Sequence, residues 1–331
     1  KSFTAGSDDH VGFFVGQTYT ELPAETVDEI PAAIKELKTS PAGTSRSYKG
    51  YAFHLYKGFH DHLKSMSKKE SKSFFTQAAD FIFTKKPFSL KNKIKLNRIK
   101  NSKKETYKLI GKLLKVTERK DLELDEKLDL IYSYMTDISD NLLKGFTEKI
   151  QNVSQGGSFV DVIKGLPQIT GGLLMYLPFL FSMKYMHKDD KLLKAAEKVY
   201  LKETKQKRKR ILWFTDTIND LNGVSVTLRS IGWRAHNKGE KLKLVSSLHE
   251  SEIRQDLPPK VEILDPLFHF KVPHYETLTI KIPSFFNMLE KLYDFNPDEI
   301  YISSPVSIGL MGLVFAKLMN VKCTAIYHTD F

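Results

Sequence analysis

The chain has 331 residues, of which 41% are hydrophobic and 27% are charged, so it is long enough for two ordinary domains with buried cores. This composition excludes wholesale disorder. The single cysteine, Cys323, excludes a disulfide-stapled secreted scaffold and a cysteine-rich zinc site, and it favours a reducing cytoplasm. The net charge of +12 favours an anionic partner, but charge alone does not choose among nucleic acid, a phosphorylated substrate and anionic lipid.

Both ends of the chain are abrupt. The sequence begins with Lys1 rather than Met and lacks the basic start, apolar core and cleavage site of a signal peptide. It ends immediately after a strand-like run. We therefore expect a piece of a longer protein, in which the inventory of catalytic residues is incomplete at both ends.

Residues 1–50 are rich in Gly, Ser, Thr, Asp and Pro, which predicts loops that join short strands and one helix over residues 27–37. The run Gly6-Ser7-Asp8-Asp9-His10 places a carboxylate and an imidazole two residues apart. Asp8 and His10 could both face one cation, for which Zn, Mn or Fe is suitable. On these residues alone, an ordinary surface loop is the better explanation of such a pair.

This stretch, together with Thr18-Tyr19-Thr20 and the turn at residues 43–47, resembles the closing metal motif of the PHP phosphoesterase superfamily. The resemblance implies that Asp8 and His10 are the last two ligands of a multinuclear site in a distorted (β/α) barrel. A bound divalent metal would there generate hydroxide that attacks a phosphate ester. The early His-x-His of the superfamily is absent, so we expect weak metal binding or none. We interpret His54, His60 and His62 as exposed residues of a lysine-rich helix rather than as replacement ligands.

Residues 51–207 read as amphipathic helices, because apolar residues recur at spacings of three and four, as in Leu109, Leu113 and Val116. Residues 57–120 carry nineteen Lys or Arg against five Asp or Glu, and a compact basic run occupies residues 205–210. A solvated helical face explains these charges, and contact with anionic lipid headgroups is the functional alternative. Nucleic acid is not expected, because interleaved aromatic residues and a known binding module are missing.

Residues 165–183 form an apolar stretch without a charge, about the length needed to cross a bilayer. Pro167, Gly171, Gly172 and Pro178 make it a poor straight spanning helix. We favour a buried helical hairpin, followed by a membrane-surface or re-entrant element, and we place a true span last.

Residues 208–331 alternate short β-rich runs with helical ones, which predicts an α/β fold with a doubly wound, Rossmann-like parallel sheet. Strands are predicted at residues 211–215, 242–246, 261–264, 299–302 and 324–327, and helices at residues 223–238, 284–293 and 308–319, the last of which is capped by Asn320. Ligands in such sheets bind at the carboxyl ends of the strands.

The first predicted strand of this region is followed by a polar loop that opens a helix at Asn222-Gly223-Val224. A helix N-terminus presents free N–H groups and a partial positive charge, so it suits an anionic phosphate, and a glycine lets that phosphate approach the backbone. An ordinary helix cap is the alternative. The loop alone therefore gives only a hypothesis.

The surrounding motifs make the pattern more specific. Over residues 209–331 they resemble the amino-terminal half of a family four glycosyltransferase: Asp216-Thr217, Asn222-Gly223-Val224, Ile282-Pro283-Ser284, Pro297-Asp298, Ser303-Ser304-Pro305 with Gly309-Leu310, and Tyr327-His328-Thr329-Asp330-Phe331. The resemblance implies a GT-B architecture and retaining sugar transfer from a nucleotide diphosphate sugar without a required metal. It also implies that Asn222, Gly223 and Val224 face the donor diphosphate, and that His328 lies in the cleft near the donor sugar or a phosphate.

The donor-binding basic residues of that family, and its pair of glutamates seven residues apart, belong to a second half that would follow Phe331. The resemblance therefore implies that this piece alone does not catalyse sugar transfer. It does not identify the donor nucleotide or the donor sugar. In such enzymes the first half mainly shapes the acceptor side.

The expected whole is a cytoplasmic, bacterial-type fusion protein, with peripheral attachment to a membrane as an extension. Its predicted parts are the tail of a PHP-like domain (1–50), a basic helical connector (51–207) and the first half of a glycosyltransferase (208–331). The expected partners are a nucleotide sugar donor, a sugar or lipid-linked acceptor, and an anionic membrane surface. The alternatives are a metal-dependent phosphoesterase regulated by a nucleotide- or sugar-binding Rossmann-like domain, and a membrane-associated scaffold.

Overall fold

A computed structural model describes residues 2–66, 74–84, 86–100, 104–154, 158–200, 208–272 and 275–327. The chain divides into two compact units. The first consists of Lys1–Met135 with Leu174–Ser182, and the second of Thr136–Leu173 with Met183–Phe331.

The first unit begins with an antiparallel pair of short strands, β1 (Thr18–Glu21) and β2 (Ser40–Gly43). Between them lies the predicted helix, present as one 3₁₀ turn (Val27–Glu29) and α1 (Ile30–Lys35). Helices follow: α2 (Tyr48–Met66), α3 (Phe74–Thr84), α4 (Leu90–Lys100), α5 (Glu105–Glu118) and the start of α6 (Leu124–Ser154). The buried rings of Tyr132, Tyr176 and Phe179 form an edge-to-face aromatic cluster in the core of this unit.

The apolar stretch predicted at residues 165–183 is broken by a turn at residues 175–176 into α7 (Phe159–Leu174) and α8 (Leu177–Met186), and α9 (Asp190–Tyr200) follows. By length and composition alone, Ile163–Met186 is long and apolar enough to cross a membrane, and its most apolar 18 residues have a mean hydropathy of 1.3. Only 31% of those 18 residues are buried. The favoured prediction of a buried hairpin is therefore wrong in its burial.

The second unit contains a five-stranded parallel sheet. Its strands are β3 (Arg210–Phe214), β4 (Lys241–Ser247), β5 (Val261–Leu264), β8 (Glu299–Ile302) and β9 (Lys322–Ala325), arranged in the order β5-β4-β3-β8-β9. The connecting helices are α10 (Gly223–Asn237), α11 (Phe285–Tyr293) and α12 (Ser307–Met319). This order and the parallel pairing make the domain a Rossmann-like α/β fold, as predicted.

The sheet is buried on both faces, as parallel sheets require. Trp213 and Phe214 are neighbours on β3, and both are buried although they point to opposite faces. On one side, Leu228 of α10 belongs to the same core cluster as Trp213 and Leu244. On the other, α12 packs at Gly312, where an added Cβ would lie 2.6 Å from the ring of Phe214. A larger residue would therefore separate this helix from the sheet.

One element was not predicted. Between β5 and α11, strands β6 (Pro266–Val272) and β7 (Tyr275–Pro283) form an antiparallel hairpin that is separate from the parallel sheet. The elements predicted in residues 208–331 are present: β5 and β8 have the predicted bounds, and the others have at least one shifted end. The largest shift is at the last strand, predicted at residues 324–327 and found at Lys322–Ala325. Asn320 ends α12 in the left-handed conformation, with φ of 53°.

Candidate functional site

The topology of the parallel sheet marks one place for a ligand. From the central strand β3 the chain passes to β4 on one side, and it later returns to β8 on the other side. The loops that follow β3 and β8 therefore diverge at the carboxyl edge of the sheet, which is where open α/β sheets bind ligands. These loops are residues 215–222 and residues 303–306.

The first loop ends in a capped helix N-terminus. Asn222 is the N-cap of α10, and its side-chain oxygen accepts the N–H of Ser225 at 2.9 Å. The N–H groups of Gly223 and Val224 belong to the first turn, which has no acceptor within the helix itself. An added Cβ on Gly223 would have nothing within 4 Å. The structure thus places Asn222, Gly223 and Val224 together, beside open space.

Side chains outside the loop hold it in place. The buried guanidinium of Arg229 donates to the carbonyl oxygens of Ile218 at 2.7 Å and Asp220 at 3.3 Å. The amide of Asn219 donates to the carbonyl oxygen of Glu252 at 2.6 Å. These bonds fix the backbone of the loop before Asn222, so the helix N-terminus is preorganised.

Sequence reasoning gave no role to Asp216, which joins the two loops. Its carboxylate oxygens lie 2.5 Å from the hydroxyl of Ser304 and 2.9 Å from that of Ser307, and they accept the N–H of Ile308 at 3.1 Å. Asp216 therefore caps α12 from the end of β3, where the helix dipole favours a negative charge. A carboxylate directly after an apolar strand was the available signal.

The first loop contains the carboxylate of Asp220, and the ammonium group of Lys281 lies nearby. Partial burial raises the pKa of the Asp220 carboxyl, and the positive charge of Lys281 opposes this increase. Lys281, on the unpredicted hairpin, also lies 2.6 Å from the carboxylate of Glu252. The edge of the sheet thus combines a helix N-terminus with charges of both signs.

His328, the residue predicted to lie in the cleft, is outside the described residues. Its position stays a prediction.

The predicted metal motif lies on an exposed loop of the first unit. Asp8 has a positive φ of 44°, a conformation that Asp tolerates, and its carboxylate lies 3.2 Å from the Nε2 atom of His10. The two side chains are 93% and 78% exposed. One cation could take both as ligands.

Asp9, between them, points inward. Its fully buried carboxylate accepts the N–H groups of Phe14 at 2.8 Å and Val11 at 3.1 Å, and it lies 3.4 Å from the ring of His54. Burial alone would raise the pKa of Asp9, but these N–H groups and the charge of Arg46 lower it overall. Asp9 therefore anchors the loop that presents Asp8 and His10.

The residues present fit only part of a metal site. In the described part of the chain, no three His, Cys, Asp or Glu side chains gather closely enough to hold a metal ion. Asp8 and His10 would supply two ligands, and the remaining ligands of a PHP-type site would have to come from elsewhere.

The interpretation of His54 and His60 as exposed is wrong, whereas His62 is exposed. His60 is buried, and its two ring nitrogens lie 3.0 Å from Asp61 and 2.9 Å from Asp80. His54 is mostly buried against Asp9, and burial lowers its pKa. The lysine-rich composition of α2 concealed this burial, because Asp9 and Asp80 lie on other segments of the chain.

Comparisons with known proteins found two partial matches. Residues 1–39 match the PHP_C family model, described as PHP-associated. A GDP-mannose-dependent alpha-mannosyltransferase from Mycobacterium tuberculosis (strain CDC 1551 / Oshkosh) is 38% identical over 58 residues. This match spans 18% of the chain and only 15% of the length of that relative. No solved structure matches the chain.

The fold and these matches together support a coarse assignment. The chain carries a segment similar to PHP-associated sequences and a Rossmann-like domain, and it is similar over a short stretch to a glycosyltransferase.

Proposed function

We propose that this chain supplies the acceptor-side half of a retaining glycosyltransferase that uses a nucleotide diphosphate sugar. The observation that carries the proposal is the N-terminus of α10, which opens beside β3 at the topological switch point, with free space next to Gly223. The similarity to a mannosyltransferase supports it.

In the proposed mechanism, the donor diphosphate lies against the N–H groups of Gly223 and Val224. Negative charge develops on the diphosphate as the bond to the sugar breaks, and the helix dipole and these donors stabilise that charge. Arg229 and Asn222 hold the donors in position before the substrate arrives. His328 positions the donor sugar, and a second Rossmann-like half completes the cleft.

The name of the relative suggests which donor to test first. GDP-mannose is the first candidate, and a sugar or a lipid-linked sugar is the proposed acceptor. We propose no metal for this reaction.

The test replaces Gly223 by Val in the intact protein. Gly223→Val needs no rearrangement of the fold, because the space around its Cβ is open and its φ is not positive. Valine keeps the backbone N–H, but its side chain fills the space that the diphosphate would occupy and keeps it from the N–H groups of this turn. We expect kcat for transfer from the nucleotide sugar to fall by about 100-fold or more, the size of effect measured when an oxyanion loses a donor.

The matched control is Gly145→Val in α6, where an added Cβ also has nothing within 4 Å. Circular dichroism and the Tm of both variants verify folding. Unchanged kcat and KM in the folded Gly223→Val variant would exclude the role of this loop.

A second candidate is a metal-dependent phosphoesterase whose Rossmann-like domain binds a sugar or nucleotide and regulates. It is supported by the PHP-associated match and by the Asp8–His10 pair. It predicts Mn²⁺- or Zn²⁺-dependent hydrolysis of p-nitrophenyl phosphate by the intact protein, lost in Asp8→Ala and retained in the control Asp28→Ala. Phosphatase activity without any sugar transfer would favour this candidate.

A further inference from the structure

Helix α7 has its small residues on the inside and its large apolar residues on the outside. An added Cβ on Gly165 would lie 2.9 Å from the ring of Phe146 in α6, and one on Gly172 would lie 3.4 Å from Leu142. The opposite face carries large apolar side chains that are about half exposed: Ile163 52%, Leu166 48% and Leu173 54%. A helix of a water-soluble domain normally buries such a face, whereas small residues at the helix–helix contact are typical of helices in lipid.

Helix α9, in the same unit, is amphipathic and also exposes its apolar side. Its aliphatic residues are largely accessible: Leu192 67%, Leu193 49% and Val199 72%. Residues 192, 196 and 199 follow the helical spacing, so leucine, alanine and valine line one face. In the sequence, lysines recur at positions 191, 194 and 198, between the apolar positions, and Lys198 is exposed. Basic and apolar faces on one short helix are typical of helices that lie in a membrane interface.

The basic residues near these apolar faces favour an anionic membrane surface. Lys184 and Lys198 are exposed beside these apolar segments, and the basic run at residues 205–210 follows α9 in the sequence. The whole chain carries a net charge of +12. Lysines near a membrane surface are attracted to anionic headgroups, and their aliphatic stems remain compatible with the interface.

Neither helix is suited to span a bilayer alone. Helix α7 has 16 residues with Pro167 inside it, and α9 has 11 residues. A span needs about 20 apolar residues. Shallow insertion of one face needs no such length.

We propose that the outer face of α7 and the apolar face of α9 dock into the surface of an anionic lipid bilayer. Both helices belong to the unit that contains the parallel sheet, so docking brings that unit to the membrane. The proposal rests on exposure and charge and is independent of the transferase assignment.

The experiment is sedimentation of the protein with vesicles. Wild-type protein is expected to co-sediment with phosphatidylcholine vesicles that contain phosphatidylglycerol, and to bind pure phosphatidylcholine much less. Two variants remove one face each: Ile163→Ser with Leu166→Ser and Leu173→Ser, and Leu192→Ser with Leu193→Ser and Val199→Ser. Each should weaken binding at least about tenfold, because three inserted apolar side chains are lost.

The control, Val27→Ser with Leu90→Ser, removes apolar side chains that are 80% and 81% exposed elsewhere. It should bind like wild type, and all variants should keep the wild-type circular dichroism spectrum. The proposal is overturned if wild type stays in the supernatant with anionic vesicles, or if the control loses binding as the other variants do. A dimer in sedimentation velocity that the α7 variant dissociates, without vesicle binding, would assign these faces to a second copy instead.

Discussion

Asp216 shows how a single side chain links the two loops of the candidate site. It lies two residues after β3, and it binds Ser304, Ser307 and the N–H of Ile308, about 90 residues further along the chain. Gly309 completes this contact, because an added Cβ there would overlap the carbonyl oxygen of Ser304. The close approach of α12 to the carboxyl end of β8 therefore depends on one carboxylate and one glycine.

Replacing Asp216 by Ala should destabilise the protein by about 1–3 kcal/mol, because the hydroxyl of Ser304 and the N–H of Ile308 lose their acceptor. The hydroxyl of Ser307 keeps the carbonyl oxygen of Lys281. Urea unfolding followed by circular dichroism measures this change. Asp265→Ala is the control, since the carboxylate of Asp265 is 82% exposed. Equal stability of the two variants would show that Asp216 does not hold the loops together.

Asp140 makes the stability depend on pH. Burial raises its pKa to about 6, although the hydroxyl of Ser284 and the charge of Lys144 oppose the change, and the neighbouring Asp137 adds to it. Because the pKa is higher in the folded state than in the unfolded state, the protonated carboxyl favours the folded state. Its contribution to the free energy of unfolding is fully present below pH 4 and is lost as the pH rises through about 6.

We therefore expect Asp140→Asn to be more stable than wild type at pH 8 by up to about 3 kcal/mol, and to lose this advantage near pH 4. Chemical unfolding at both pH values measures the difference. An advantage of the same size at both pH values would point to an effect other than the ionisation of Asp140.

Among the elements, the parallel strands were predictable because short β-rich runs alternate with helical ones, although no α-helix separates β4 from β5. The capped start of α10 was equally visible, since Asn222-Gly223 ends the polar loop that follows a strand. The β6–β7 hairpin was missed. Its strands mix Phe with His, Lys and Pro, and a proline stands at one end of each.

Contacts between distant elements were the least predictable part. The partners of Asp216 lie 88 or more residues away, and His60 meets Asp80 of another helix. No local pattern encodes such pairs, since tertiary packing alone brings them together. The burial of α7 was predicted wrongly for a related reason. Composition shows that a helix is apolar, but it does not show which of its faces the rest of the protein covers.

At the scale of the whole molecule, the two ends of the chain point to different chemistries. The Asp8–His10 pair provides two metal ligands, whereas the parallel sheet provides a preorganised helix N-terminus at a switch point. In the described residues, no three metal-ligating side chains lie together, so the Asp8–His10 pair is at most part of a metal site. We therefore propose that the activity lies at the sheet and that the first unit has a secondary role.

The most direct test is an NMR assay of the full-length protein, with the second Rossmann-like half that the proposal requires. The assay supplies GDP-mannose, other nucleotide diphosphate hexoses and a panel of sugar and lipid-linked acceptors, in the presence of EDTA. We predict transfer of the sugar, with an anomeric proton that reports retention of the donor configuration. Inversion of that configuration, or the absence of transfer with every donor and acceptor, would contradict it.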